Sequence, residues 1–461
     1  MKFVTRIRRP AGRLLVLLAA LAIIVALWPD ATSLYDLTGE EQPRGQIAGI
    51  AHWLNTAIRP QPDLQPAAVA GSPYTFPAVS PFGVNTFLQQ EAEETKRATS
   101  LDLAHAAGLR YIRQEFTWED IEIHGKGDFI DRRNDPAGVD AWLKYDHIVD
   151  LAEARDLQII ARLSNPPAWS RAAGDEMGEK APPDDFNDFG DFVAAVAGRY
   201  RGRIRTYQVW NEPNGNEEWG LQDVDPEAFT QLLCLAYERI KAADPDAVVL
   251  AGALTPTVAN DGRHMNDLIY LERMYAAGAG GCFDVMSAQG YGLWSGPTDQ
   301  RLRPTVINYP HNLFLRDIMV RHGDAAKPIW ISEMGWNVAP EHVRPDFGRV
   351  TEEQQARYAV GAYRRAQEEW PWVGVNAYWF LKRPADWEID QAWYYFRMLE
   401  PDFTPLPVYD AVADYATAVP DLSPMPGWKY DWMRARPGLF TFGAAVLFFS
   451  LLRALAPRDG R

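Results

Sequence analysis

The sequence predicts an α/β protein: a (β/α)8, or TIM, barrel over residues 82–416, with a transmembrane helix at each end of the chain. Three observations predict it. Eight short apolar runs rich in β-branched and aromatic residues recur along the chain, and amphipathic helical patterns fill the gaps between them. These runs are mostly apolar throughout, as expected of parallel strands covered on both faces. Two further apolar runs lie outside this region, one near each terminus and each beside basic residues.

The first terminal run, Leu14 to Trp28, is uncharged and nearly all aliphatic, and Lys2, Arg6, Arg8, Arg9 and Arg13 precede it. Its length falls between a signal-peptide core and a full span of roughly 17–25 residues. Pro29-Asp30-Ala31-Thr32 offers no small-x-small cleavage site, so residues 1–28 are expected to be a cytoplasmic tail and an uncleaved anchor. Residues 29–81 have no clear period and end Pro-rich, with Pro60, Pro62, Pro66, Pro73, Pro77 and Pro81. That composition suits a semi-stiff spacer, within which Ile47 to Ile58 could form a short interfacial helix.

The barrel strands are expected at Phe82–Asn85, Leu109–Phe116, Leu157–Ser164, Thr206–Trp210, Ala247–Leu254, Phe283–Ala288, Pro328–Ser332 and Val373–Phe380. Asp225-Pro226-Glu227 supplies an N-cap, a first-turn proline and a first-turn acid for the helix after the fourth. Thr351 with Gln354 has the capping-box pattern for the helix after the seventh. Eight strand–helix pairs are the count for a closed barrel. The alternative, an open doubly wound sheet, lacks its Gly-rich phosphate loop after the first strand. A linker follows at 417–436, then a C-terminal transmembrane helix at 437–456 and a cytoplasmic tail at 457–461. In that second run Arg453 can snorkel towards headgroups; its other reading is a buried core helix.

Charge sets the expected orientation. The tails carry +5 and +2, which leaves −22 of the total −15 for everything between. Basic tails stay cytoplasmic, so the barrel is expected on the extracytoplasmic side of a membrane. So acidic a middle is a poor partner for nucleic acid or anionic lipid. The 17 Trp, 19 Tyr and 20 Phe fill a large core or line a cleft that stacks on the C–H faces of sugars. Cys234 and Cys282 could pair outside the cytoplasm, although Cys234 also reads as a small buried hydrophobe. The eight histidines show no metal-ligand spacing. Neither a metal nor a cofactor is expected.

In a parallel barrel the loops at the C-terminal ends of the strands converge on one mouth. Two strands stop abruptly at a carboxylate there: Tyr207-Gln208-Val209-Trp210-Asn211-Glu212-Pro213-Asn214, and Ile329-Trp330-Ile331-Ser332-Glu333-Met334-Gly335-Trp336. Strands four and seven lie across the mouth from each other, so Glu212 and Glu333 can face one another over a ligand. A lone Glu in such a place is most often a salt-bridge partner or helix cap. Two facing carboxylates are what glycoside hydrolysis needs: one protonates the leaving oxygen, and the other attacks C1 or activates water.

Asn211-Glu212-Pro213 after an apolar strand, with Ser332-Glu333-Met334-Gly335-Trp336 three strands later, resembles the clan of (β/α)8 retaining glycoside hydrolases. The cellulase-like and β-xylosidase/α-iduronidase-like branches are the most similar. The resemblance covers roughly 82–416, including Tyr394-Tyr395-Phe396 and Pro405-Leu406-Pro407-Val408-Tyr409. It implies Glu212 as acid/base and Glu333 as nucleophile. It also implies Arg113 and Tyr291 as donors to the nucleophile, Asn211 on the sugar 2-hydroxyl, and Trp379 as the floor beneath the sugar at the cleaved bond. From the residues alone, Arg113 could instead pair with Glu115 or Glu119. Gln289 stands where many relatives carry a His; it can donate a hydrogen bond but cannot titrate near neutral pH. It and Trp336 are further candidates for substrate contact, and for Trp169, Trp294 and Trp336 core packing and stacking are equal readings. The expected protein is thus a membrane-anchored retaining O-glycosidase acting on a cell-surface or exported poly- or oligosaccharide. A transglycosylase using the same pair, or a non-catalytic glycan-binding barrel, are the alternatives.

Overall fold

Eight parallel strands form near the expected positions in a computed structural model that describes residues 3–27, 42–56, 68–299, 301–418 and 427–455. They are β1 (Phe82–Thr86), β2 (Tyr111–Thr117), β3 (Gln158–Ser164), β4 (Thr206–Val209), β5 (Val248–Leu250), β6 (Met286–Tyr291), β7 (Ile329–Gly335) and β8 (Val373–Tyr378). Neighbours in sequence pair in parallel, and β8 pairs with β1. Parallel bridges Leu250–Val285 and Leu254–Ala288 close the seam between β5 and β6. The sheet is therefore a closed barrel, not an open doubly wound sheet. A helix follows each strand, from Glu94–Ala106 to Pro407–Ala418. The expected caps form: Asp225 accepts from the Ala228 amide, and Thr351 and Gln354 make a capping box.

Three strands differ most from expectation, and one of them, β7, runs three residues further to Gly335, so that Glu333 lies inside it. β5 is shorter because the chain leaves the ladder at Gly252, where a Cβ would sit 2.8 Å from the Val209 carbonyl oxygen. β6 starts later and runs on to Tyr291, with a register shift at Ala288–Gln289. That shift carries Gln289, Gly290 and Tyr291 into the mouth.

The barrel is apolar below and polar above. Val79, Ile160, Val248, Leu250, Val285, Trp330 and Val375 form one buried cluster, with Tyr74 and Tyr111 against it. Residues 68–81 close the floor: the Trp330 indole donates to the Tyr74 carbonyl at 2.8 Å, over Gly374, where a Cβ would collide with both. The rest of the expected spacer and linker, at 28–41, 57–67 and 419–426, lies outside the described residues.

The two apolar runs form helices, Phe3–Leu27 and Gly427–Leu455, which with Pro43–Thr56 make a unit separate from the barrel. Gly443 packs against Ala19 and Ile23, and Arg436 donates to the Ala26 carbonyl at 2.8 Å. The expectation of two spans needs correction, because among the described residues no helix is long and apolar enough to cross a membrane.

Cys234 and Cys282 form a disulfide that ties the helix Pro226–Ala243 to the segment before β6, 48 residues apart in sequence. Closing a loop of that length in the unfolded chain is worth roughly 4 kcal/mol. Replacing both cysteines with alanine should lower unfolding stability by about that amount, read from denaturant titration. An unchanged midpoint would show that the bridge does not stabilise the barrel.

Candidate active site

The site begins where β4 ends. After Val209 the chain bends through two residues in the left-handed region, Trp210 at φ +69° and Glu212 at φ +40°. Non-glycine residues there cost on the order of 1–3 kcal/mol each and persist only when their surroundings over-determine them. Here three bonds do so. Trp210 donates its amide to Leu163 O at 2.9 Å and its indole N–H to Glu218 O at 2.8 Å. The Glu212 amide donates to Ala253 O at 2.8 Å.

Glu333 lies across the mouth inside β7, with one donor on each carboxylate oxygen. Arg113 reaches Oε1 at 2.7 Å from Nη1, and the Tyr291 hydroxyl reaches Oε2 at 2.6 Å. Arg113 is itself fully engaged, donating to Asn85 Oδ1 and Gln208 Oε1 at 2.8 Å each and to Asn211 Oδ1 at 2.7 Å. It therefore does not pair with Glu115 or Glu119. Glu115 instead takes Arg162 and the Ser164 hydroxyl.

Glu212 has a different neighbour on the same strand. Gln289 Nε2 donates to its Oε1 at 2.8 Å. Gln289 and Tyr291, two apart on β6, thus point to one side and take one carboxylate each. No cation bonds Glu212 among the described residues. Burial, reinforced by the charges of Glu333 and Glu218, pushes its pKa up to about 8. The buried, edge-to-face pair Trp210 and Trp219 adds to the apolar setting.

Of the residues expected from sequence, Arg113, Asn211, Tyr291 and Gln289 come together with the two glutamates. Trp379 borders them: its amide donates to Met334 O at 2.8 Å, and its half-buried ring meets Phe87 edge-on at 5.4 Å. Trp336 requires correction. It is fully buried, and its indole donates to Ser295 O at 2.6 Å, so it braces a loop and does not face substrate. Asn85 and Gln208, which orient Arg113, were not expected. Their signal was a polar residue inside an otherwise apolar inner strand, which needs a buried partner.

These contacts set a pH dependence. An acid with a pKa near 8 is protonated below that pH, so kcat/KM for glycoside cleavage should fall tenfold per unit as pH rises beyond about 8. Gln289 stabilises the ionised form, so Gln289→Leu should raise the pKa and move the alkaline limb upward. A limb that stays put or moves down would sink this assignment.

Residues 71–322, more than half of the chain, match the model of the cellulase family (glycosyl hydrolase family 5). No curated protein sequence matches. Among solved structures, the fold is similar to GH5_18 from Streptomyces cattleya in complex with GlcNAc, with TM-score 0.53 and 17% identity, covering 82% of this chain and 91% of that one. A family 39 glycoside hydrolase from Bacteroides cellulosilyticus WH2 gives TM-score 0.52 at 18% identity, covering 74% of this chain; the match spans only 64% of that relative's length. The endo-beta-1,4-mannanase from Thermotoga petrophila gives TM-score 0.50 at 15% identity, covering 77% and 79%. A closed (β/α)8 barrel with a family match across its first six strands is a glycosidase scaffold, and this chain belongs to the cellulase family, glycosyl hydrolase family 5.

Proposed function

We propose that the protein is a retaining O-glycosidase that cleaves a β-linked poly- or oligosaccharide, with Glu333 as nucleophile and Glu212 as acid/base. The opposite treatment of the two carboxylates carries this reading. Glu333 has a guanidinium and a phenol on its two oxygens, which fix its orientation for attack on C1. Glu212 has burial and a neutral donor, which keep it protonated near neutral pH. In the first step Glu212 gives its proton to the leaving oxygen as Glu333 bonds C1. In the second it takes a proton from water, and the glycosyl–Glu333 bond breaks. Asn211, anchored through Oδ1 to Arg113, has its amide nitrogen to offer the sugar 2-hydroxyl. The half-buried ring of Trp379 offers a floor for that sugar. The relatives named with GlcNAc and with β-1,4-mannan support a β-linked hexose chain as the substrate class.

We place this activity outside the cytoplasm and against lipid. The Cys234–Cys282 disulfide supports an oxidising compartment. The two-helix unit turns Leu14, Leu17, Leu21, Ile24, Phe448, Phe449 and Leu451 outward and keeps Ala19, Ala26 and Gly443 at the helix contact. Large apolar side chains turned outward in this way suit a helical unit resting at a lipid interface.

Two experiments test these readings. Glu333→Gln should abolish turnover of every substrate. Glu212→Ala should still form the glycosyl-enzyme from an aryl glycoside with an activated leaving group, and azide should accelerate its breakdown. Equal loss in both variants with no azide effect would refute the division of roles. The full chain should float with lipid vesicles at physiological salt, and the double change Leu17→Asp, Phe449→Asp should release it; no flotation of the unaltered chain would reject the lipid placement.

A further inference from the structure

The loop after β4 carries a second glutamate close to the first. The Glu212 carbonyl accepts from the Gly215 amide at 3.0 Å, and the Gly215 carbonyl accepts from the Glu218 amide at 3.1 Å. Two successive turns thus hold Glu218 near Glu212, and the Trp210 indole fixes the far end through Glu218 O at 2.8 Å. Glu217, next to it, turns outward and meets His264 Nε2 at 3.0 Å. Glu218 stays inside. Its mostly buried carboxyl takes Lys180 Nζ at 2.6 Å.

Lys180 comes from a different element, the loop after β3, and that loop is stiff enough to deliver it. Arg171 ties the two limbs of the loop together, donating to Pro166 O at 3.1 Å, Gly174 O at 2.8 Å and Ala181 O at 2.9 Å. Its remaining nitrogen reaches Asp175 at 2.6 Å. The loop then presses on the β4 loop beside Glu218: at Gly220, with φ +73°, a Cβ would lie 2.4 Å from the Ala181 Cβ. A side chain at 220 would push Ala181 away, and Lys180 with it. Most ion pairs of lysine contribute little, because a long side chain must be ordered to make them. Here the backbone on both sides is already fixed.

The pair lies in the field of the catalytic carboxyls. Glu212 faces Glu333 from β7, the neutral amide of Gln289 from β6, Glu218 from its own loop and Lys180 from the β3 loop. Burial and the charges of Glu333 and Glu218 hold its proton on, while Gln289 and Lys180 favour its release. Arg113 and Tyr291 act through their bonds to Glu333. Arg162 and Glu115, which pair with each other, add their charges around Glu218 and Lys180.

We infer that Lys180 and Glu218 are positioning residues for the proton donor: Glu218 presents a fixed negative charge to Glu212, and Lys180 sets how much of that charge Glu212 feels. The loop after β3 thereby tunes the acid without touching the reacting atoms. This inference rests on the hydrolase reading.

The test follows kcat/KM against pH for the full-length protein. Its substrates are β-linked hexasaccharides of glucose, mannose, xylose and N-acetylglucosamine, and the matching 2,4-dinitrophenyl disaccharides. On the hexasaccharide that the unaltered enzyme cleaves, Lys180→Met should move the alkaline limb up by about half a pH unit, the effect of one partly screened charge. Glu218→Gln should move it down by at least as much, and the double variant should fall between the two. The dinitrophenyl group leaves without a proton, so its kcat/KM should show no such limb in any variant. Equal loss on both substrates with the limb in place, or limbs that move the same way in both single variants, would overturn the role of the pair. A limb that still moves in Gln289→Leu would then leave Glu212 as the acid. An unaltered enzyme as inert as Glu333→Gln on all eight compounds would overturn the hydrolase reading, and the role of the pair with it.

Discussion

The buried contact between Arg113 and Glu333 is the constraint on which the upper barrel depends. Two charges taken out of water recover their hydration cost only with close geometry and with every remaining donor satisfied. The guanidinium fork meets that condition by reaching Asn85 on β1, Gln208 at β4, Asn211 just beyond it and Glu333 on β7. A planar group with fixed donor directions thus sets the relative height of strands from opposite sides of the barrel. Lysine could not replace it, because a single ammonium cannot address four acceptors in one plane. Asn85 extends the lock by donating to Ser332 O at 2.8 Å and Tyr378 O at 3.1 Å, beside the glutamate.

Glu212 is built on the opposite principle. Its backbone is strained, among the described residues no cation bonds its carboxyl, and the side chain that donates to it, Gln289, is neutral. A buried acid whose pKa is raised from 4.5 to about 8 opposes folding increasingly between those pH values, because the unfolded chain gives up the proton first. The protein therefore carries a local instability that is already present at neutral pH, which the packed lower barrel and the disulfide offset. That is the usual relation between a working site and the scaffold that supports it.

Much of this was legible in the residues. The strand pattern located the barrel, and the apolar runs ending at Glu212 and Glu333 located the mouth, because parallel strands and convergent loops leave few other arrangements. Arg113 was ambiguous for a physical reason: Glu115 lies two residues away on the same face of β2, and only the barrel's closure shows that Glu333 is nearer. Trp336 stood between core packing and substrate contact because a fully buried indole and a ligand-facing one look alike in a Gly-Trp-Asn context; what decides for the core is Gly292, from a distant loop. The floor formed by residues 68–81 was hidden by prolines that suggested a spacer. The terminal runs were read as spans from their length, apolar character and basic flanks, and they do form helices, but among the described residues no helix is long and apolar enough to cross a membrane.

Trp336 has a consequence for how such an enzyme can diversify. It follows Glu333 by three residues on one continuous stretch of chain, so the attacking carboxylate and the brace under the Trp294 turn are spaced by the same piece of backbone. That stretch is a ruler: any shift of β7 moves reaction centre and rim together and preserves their separation. The ring at position 294 stands outside the ruler, supported but not measured by it. Substitutions at that exposed position can therefore accumulate without disturbing where Glu333 is held, so the rim can drift while the carboxylate keeps its register.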